Sequence, residues 1–183
     1  LSHELYNLGH MVDAACAHYQ ATGSTKFLNI AKRYADCVVK EVGPKPGQAT
    51  IVPGHQIAEM ALARLYTLTG EKKYLDEAKY LLDYRGKTHI RNPYSQSQAP
   101  ILEQKEAVGH AVRAGYMYAG IADVAALTKD SAYMKVIDRI FVLKPVNLPS
   151  FFLLLNIKAW GPAIPSLGTG VQRGKVLFTF LPF

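Results

Sequence analysis

Pro53-Gly54-His55-Gln56-Ile57-Ala58-Glu59-Met60-Ala61-Leu62-Ala63-Arg64-Leu65-Tyr66 reads as a loop that turns straight into a helix. Pro and Gly punctuate the loop. Ile57, Met60, Ala61, Leu65 and Leu68 then recur at helical spacing and make one apolar stripe. His55 falls at the first turn, where helix amides point outward and can meet a ligand oxygen. The arrangement occurs twice more. Gly9-His10 precedes Met11, Val12, Ala15, Cys16 and Tyr19, and Gly109-His110 precedes Ala111, Val112, Tyr116 and Ala119. Three such units are an internal repeat, whereas one Gly-His pair would mean nothing.

The repeat continues downstream of each first helix. A short turn begins with Thr: Thr22-Gly23, Thr69-Gly70 and Thr128-Lys129. An aromatic follows each Thr at the same distance (Phe27, Tyr74, Tyr133), then a long apolar residue (Leu28, Leu75, Met134). Ala31, Ala78 and Ile137, and then Tyr34, Leu81 and Ile140, complete a second amphipathic helix in register. Each unit is therefore predicted to be a helix, a tight turn and an antiparallel helix. Such hairpins bury their apolar faces only by stacking. The fold class is all-α, with six main helices in three hairpins and no extended sheet. Equivalent helices in a stack begin at the same end, so His10, His55 and His110 are predicted to gather at one rim.

The composition agrees with a globular chain. Its 183 residues are one domain's worth or a piece of a larger one, with 49% hydrophobic content and a mean hydropathy of +0.01. No apolar run approaches the roughly 18 residues that a membrane span needs. The chain opens at Leu1 inside a helical pattern carried by Leu5, Leu8, Met11 and Val12. An upstream portion is expected, which leaves localisation open. The net charge of +7 divides unevenly: all 14 acidic residues lie between Glu4 and Asp138, against 17 of the 21 basic ones before residue 142. A body at +3 with lysines beside acids, as in Glu71-Lys72-Lys73, is a solvated surface, and neither a nucleic-acid nor a membrane partner is expected. Cys16 and Cys37 occupy apolar helical positions and read as small core residues, not as a disulfide framework.

Gly43-Pro44-Lys45-Pro46-Gly47 closes the first unit, and the connector after it offers Gln48 and Thr50 as rim-loop residues. The second unit runs from His55 to about Arg85. The longer connector from Gly86 to Pro100 holds His89, Tyr94, Gln96 and Gln98, any of which could hydrogen-bond a polar ligand. The third unit runs from about Ile101 to Phe141. Residues 142–183 then change character, with no acid and five of the ten prolines. The expected organisation is a helical domain over 1–141 and an irregular tail over 142–183.

Familiar catalytic signatures fail. Gly168-Thr169-Gly170-Val171-Gln172-Arg173-Gly174-Lys175 lacks the Gly and the Ser or Thr that a phosphate loop needs. His3-Glu4-Leu5-Tyr6-Asn7 begins like a zincin helix, but Asn7 stands where the second His belongs. Glu4, Asp13, Glu59, Glu103 and Glu106 are the carboxylates near the repeat helices, and spacing alone cannot pair two of them across a ligand. Each histidine taken singly fits helix capping or a buried hydrogen bond. Gathered at a concave opening, the three imidazoles suit sugar hydroxyls.

Glu4-Leu5-Tyr6-Asn7-Leu8-Gly9-His10, His18-Tyr19-Gln20-Ala21-Thr22-Gly23, Tyr34-Ala35-Asp36, Pro53 to Glu59 with Ala63-Arg64-Leu65-Tyr66, and Gln104 to Arg113 occur in this order. Together they resemble the β-L-arabinofuranosidase-type glycoside hydrolases of family 127, over about Ser2 to Phe141. The resemblance implies part of an (α/α)6 toroid of helical hairpins. It implies a carbohydrate substrate, with release of terminal β-L-arabinofuranose or a related sugar from plant-type glycans. It also implies that His10, His55 and His110 line the sugar pocket.

In that family the nucleophile is a cysteine held on zinc by further cysteines and a glutamate, with a second glutamate as acid/base. All of these lie downstream of the resembling segment, so no catalytic residue and no metal ligand is carried over to this chain. Cys16 and Cys37 inherit neither role. Residues 142–183 do not resemble the family, and a truncated or frame-shifted product, or an exon error, is expected. Two other readings stay open: a non-catalytic helical scaffold that binds protein along its groove, and a sugar epimerase or isomerase using a histidine pair on the same toroid.

Overall fold

The computed structural model describes residues 3–88 and 91–142, with side chains through residue 140. The reading of the tail therefore lies outside the described residues, as does His89. Six α-helices follow in order: α1 Glu4–Thr22, α2 Thr25–Glu41, α3 Ile57–Thr69, α4 Lys72–Tyr84, α5 Ala111–Thr128 and α6 Ser131–Val142. Among the described residues the only strand-type pairing is one parallel bridge between Val42 and Ala49.

The turns explain the recurring Thr. Thr22, Thr69 and Thr128 each donate their hydroxyl to the carbonyl four residues back, on His18, Leu65 and Val124. The first two hydroxyls also accept the backbone N–H of Ser24 and Glu71. The next residue caps the helix in the left-handed region, with Gly23 and Gly70 at φ 71° and Lys129 at φ 56°. Gly does this without a Cβ penalty; Lys129 does not.

α1, α3 and α5 pack side by side as one layer, and each is backed by its hairpin partner α2, α4 or α6. The core between the layers contains Leu8, Val12, Leu62, Leu65, Leu81, Leu82, Met117 and Ile121. The repeated aromatic also ties neighbouring hairpins together. Tyr74 of α4 donates its hydroxyl to Asp36 of α2 at 2.8 Å, and Tyr133 of α6 donates to Asp83 of α4. Asp36 and Asp83 hold the same place in successive units, so one side-chain bond is repeated along the backing layer. Bonds of this charge-assisted kind are each worth about 1.5–3 kcal/mol when sheltered.

One expectation needs correction. The Gly-His pairs are not three equivalent helix starts. His110 is the residue before α5, and His55 lies in the loop just ahead of Gln56 and α3, but α1 begins at Glu4 and carries Gly9-His10 well inside it. The apolar pattern from Leu5 and Leu8 extends α1 upstream, and both side chains are buried. The glycines accordingly do different work. A Cβ on Gly9 would lie 2.8 Å from the carbonyl carbon of Ile57 and 2.9 Å from Ala58 N, so Gly9 permits the close crossing of α1 and α3. Gly109 sits at φ 78° with its Cα against the Pro93 carbonyl, a left-handed turn outside any helix. Ahead of α5, a 3-10 turn at Ile101–Glu103 and an extended stretch open the third unit.

Candidate functional site

α1, α3 and α5 run in the same direction, which brings the N-terminal part of each to one rim. Tyr6, half-buried on the first turn of α1, is the centre of the group. Its ring lies 4.4 Å from His10 in a T-shaped contact, 4.9 Å from His55 and 6.0 Å from His3. His3 and His55 are 5.8 Å apart, and His10 meets Tyr116 of α5 edge-on at 6.1 Å. His110 packs edge-on against Tyr94 at 5.3 Å, and the Arg113 guanidinium lies 4.8 Å over the same Tyr94 ring.

The electrostatics join the two halves of this rim. The His55 imidazole is held below its ordinary value, first by partial burial, then by the positive charge of Arg113 and of His3, His110 and His10. His55 thus stays neutral at neutral pH, with one ring nitrogen to donate and one to accept. Three imidazoles with tyrosine rings between them supply directional hydrogen bonds and flat apolar faces, the combination a furanose ring presents a use for.

His10 and His55 therefore meet at Tyr6, while His110 packs on Tyr94 and reaches them only through its charge effect on His55. His3, Tyr6, Tyr116 and Arg113 join them, and sequence reasoning missed all four. The available signals were Tyr6 four residues before His10, and Arg113 three residues after His110, each pair on one helix face.

Several other candidates go elsewhere. Gln96 is fully buried and bonds the Val108 carbonyl through Nε2 at 2.8 Å while accepting from Gln56 at 2.7 Å, so it is a loop staple and not a ligand group. Tyr94 is exposed at the rim, and Gln98 is half-buried. Gln48 bonds the Val39 and Lys40 carbonyls, closing the end of α2, and Thr50 is exposed. Glu59 is buried against Arg85, and Asp13 is paired with Arg64. Glu4, Glu103 and Glu106 are exposed. Cys16 is buried in the core, its thiol pushed up to about 11 by desolvation. Cys37 is exposed on α2, contrary to the core reading, because its side faces away from the α2 stripe of Leu28, Ala31, Ala35 and Val38.

Residues 2–143 match the family described as the β-L-arabinofuranosidase, GH127 catalytic domain. The chain belongs to this family. A non-reducing end β-L-arabinofuranosidase of Bifidobacterium longum subsp. longum is 36% identical, over 75% of this chain and 24% of that protein. A solved GH127 β-arabinofuranosidase superposes with a TM-score of 0.74 at 63% identity, covering 76% of this chain and 22% of the other. The GH127 β-L-arabinofuranosidase of Geobacillus stearothermophilus T6 gives a TM-score of 0.73 at 37% identity, covering 76% and 25%. The GH127 chain described here thus spans about a quarter of the length of these relatives. Its three hairpins are part of the helical toroid that the family resemblance implied.

The zinc implied by that resemblance finds no ligand set among the described residues. No group of three His, Cys, Asp or Glu side chains is arranged to hold a metal ion there. The four rim histidines are interleaved with tyrosine rings, and the two cysteines lie apart from them.

Proposed function

We propose that residues 2–142 form the sugar-holding rim of a glycoside hydrolase that acts on terminal β-L-arabinofuranose or a closely related sugar. The meeting of His10 and His55 around Tyr6, with His110 beside them on Tyr94, carries this reading. Polar and aromatic groups cluster at one rim, on the scale of a monosaccharide; a protein-binding scaffold would spread them along a groove. The known activity of the GH127 relatives supports the sugar class.

The chain's own residues orient the sugar and do not break its bond. Glycoside cleavage needs a nucleophile or activated water and a proton donor, both at one linkage. Asp13 is tied to Arg64 and Glu59 is enclosed with Arg85, so neither of these two carboxylates is free to serve. The test is to express residues 1–183 and assay release of arabinose from an aryl β-L-arabinofuranoside with added zinc and thiol. No turnover above buffer is expected. Turnover abolished by substituting any residue of this chain would overturn the division of labour.

A further inference from the structure

We propose that Arg85 is a positioning residue of the histidine rim, a buried side chain that, beside Gln56, holds the two rim loops in register. The inference rests on the reading of the rim as a sugar site. Arg85 follows the last residue of α4 and is 1% exposed. Its Nη2 donates to the Pro53 carbonyl at 2.7 Å, and Pro53 lies two residues before His55. Its Nη1 donates to the Ser95 carbonyl at 3.0 Å, and Ser95 follows Tyr94. The Tyr94 carbonyl in turn accepts the backbone N–H of His110 at 3.0 Å. One planar guanidinium therefore bridges the His55 loop to the loop that places Tyr94 and His110.

The geometry favours the loops over the charge pair. Arg85 meets Glu59 only at 3.4 Å, and both Glu59 Oε2 and Arg85 Nε are buried without a hydrogen-bond partner. A pair selected for its own stability would be bidentate and fully satisfied. Here the shorter bonds go to carbonyls on separate loops, and Glu59 neutralises the buried cation. Burial, and to a smaller extent Arg113, hold the guanidinium below its ordinary value, and Glu59 opposes them. Ser95 has a second donor in Gln56 Nε2 at 2.9 Å. Gln56 follows His55 and is a second link between the same loops, so loss of Arg85 should free chiefly the Pro53 end of the His55 loop.

The test uses the 1–183 chain with its imidazoles followed by proton–carbon NMR. Arg85→Lys keeps the cation but cannot span both carbonyls from one ammonium. Arg85→Met combined with Glu59→Met removes the buried pair altogether, an exchange that commonly leaves stability intact. In both variants the His55 resonance is expected to lose the ring-current shift of Tyr6 while helical circular dichroism persists. Binding of methyl β-L-arabinofuranoside should weaken at least about tenfold, the scale of a lost well-formed contact. A folded variant with the His55 resonance in place overturns the proposal, whatever the sugar does. Loss of the helical signal in both variants also overturns it, since Arg85 would then serve the whole fold and not the rim. If the His55 resonance moves but the unsubstituted chain shows no response to the sugar, the positioning role stands and the sugar reading fails.

Discussion

Glu77 is a buried carboxyl without a charged partner among the described residues, and replacing it should stabilise the fold in a pH-dependent way. The side chain lies on α4 with 6% of its surface exposed, and its Oε1 has no hydrogen-bond partner. Desolvation alone pushes its carboxyl from the ordinary 4.5 up to about 8. Below the ordinary value both folded and unfolded chains are protonated, and there is no penalty. As pH rises, the unfolded chain ionises first while the folded chain does not, so stability falls through the window from 4.5 to about 8 and then levels. At ~1.4 kcal/mol for each tenfold, the full penalty has an upper bound on the order of 4–5 kcal/mol, and relaxation with water entry brings the expectation nearer ~2–3 kcal/mol. Glu77→Gln removes the titration. Urea unfolding of both chains should give equal stabilities within ~1 kcal/mol near about pH 4.5, and a variant ahead by ~2–3 kcal/mol at about pH 8.5. A constant difference across that range, or a variant that is weaker at the higher pH, would refute the burial argument.

Three further outcomes follow from local geometry. Gly9→Ala should lower stability by about 2 kcal/mol in thermal unfolding although Ala favours helix, because the new methyl would press on the backbone of Ile57 and Ala58; a raised melting temperature would contradict the close crossing. Lys129→Gly should raise stability by about 0.5–1 kcal/mol by relieving the left-handed cap that Gly23 and Gly70 occupy without strain, and a loss on chemical denaturation would mean that the lysine side chain contributes more than its backbone costs. Arg64 donates to Asp13 and Gln20 of α1 and opposes the rise of Asp123 of α5, whose carboxyl burial pushes up to about 7. Arg64→Met should therefore raise the apparent pKa of Asp123 further, read by carbon NMR of the carboxyl, and cost about 1 kcal/mol after allowance for solvent at this half-exposed pair.

Much of this architecture was legible because a repeat offers several copies of one message. The Thr turns, the aromatic after them and the 3.6-residue stripes appear three times, and each copy supports the others. The misreading of Gly9-His10 as a helix start came from trusting the dipeptide over the stripe, since Leu5 and Leu8 already marked α1 upstream. The site was half legible. His10, His55 and His110 could be singled out as repeated Gly-His pairs, although their helices do not start alike, and Tyr6 meets His10 and His55 only once α1 and α3 cross at Gly9. The loop network was not legible. Gln56 and Gln96 are amides in polar segments, and nothing in a linear pattern says that they bond each other and the backbone carbonyls of Ser95 and Val108. Arg85 read as the end of a helix, where basic residues are ordinary; its reach to Pro53 and Ser95 depends on how two loops close over α3.

The account turns on whether the rim is one sugar site. The direct measurement is a titration of the 1–183 chain with methyl β-L-arabinofuranoside, following every assigned imidazole by proton–carbon NMR. His18, exposed near Phe27 towards the other end of α1, is the internal control. The resonances of His10, His55 and His110 are expected to move together along one binding curve, weak, in about the millimolar range that a few hydrogen bonds and one ring face support, while His18 stays still. Separate curves for the three, movement of His18 alongside them, or no movement at all would contradict the claim.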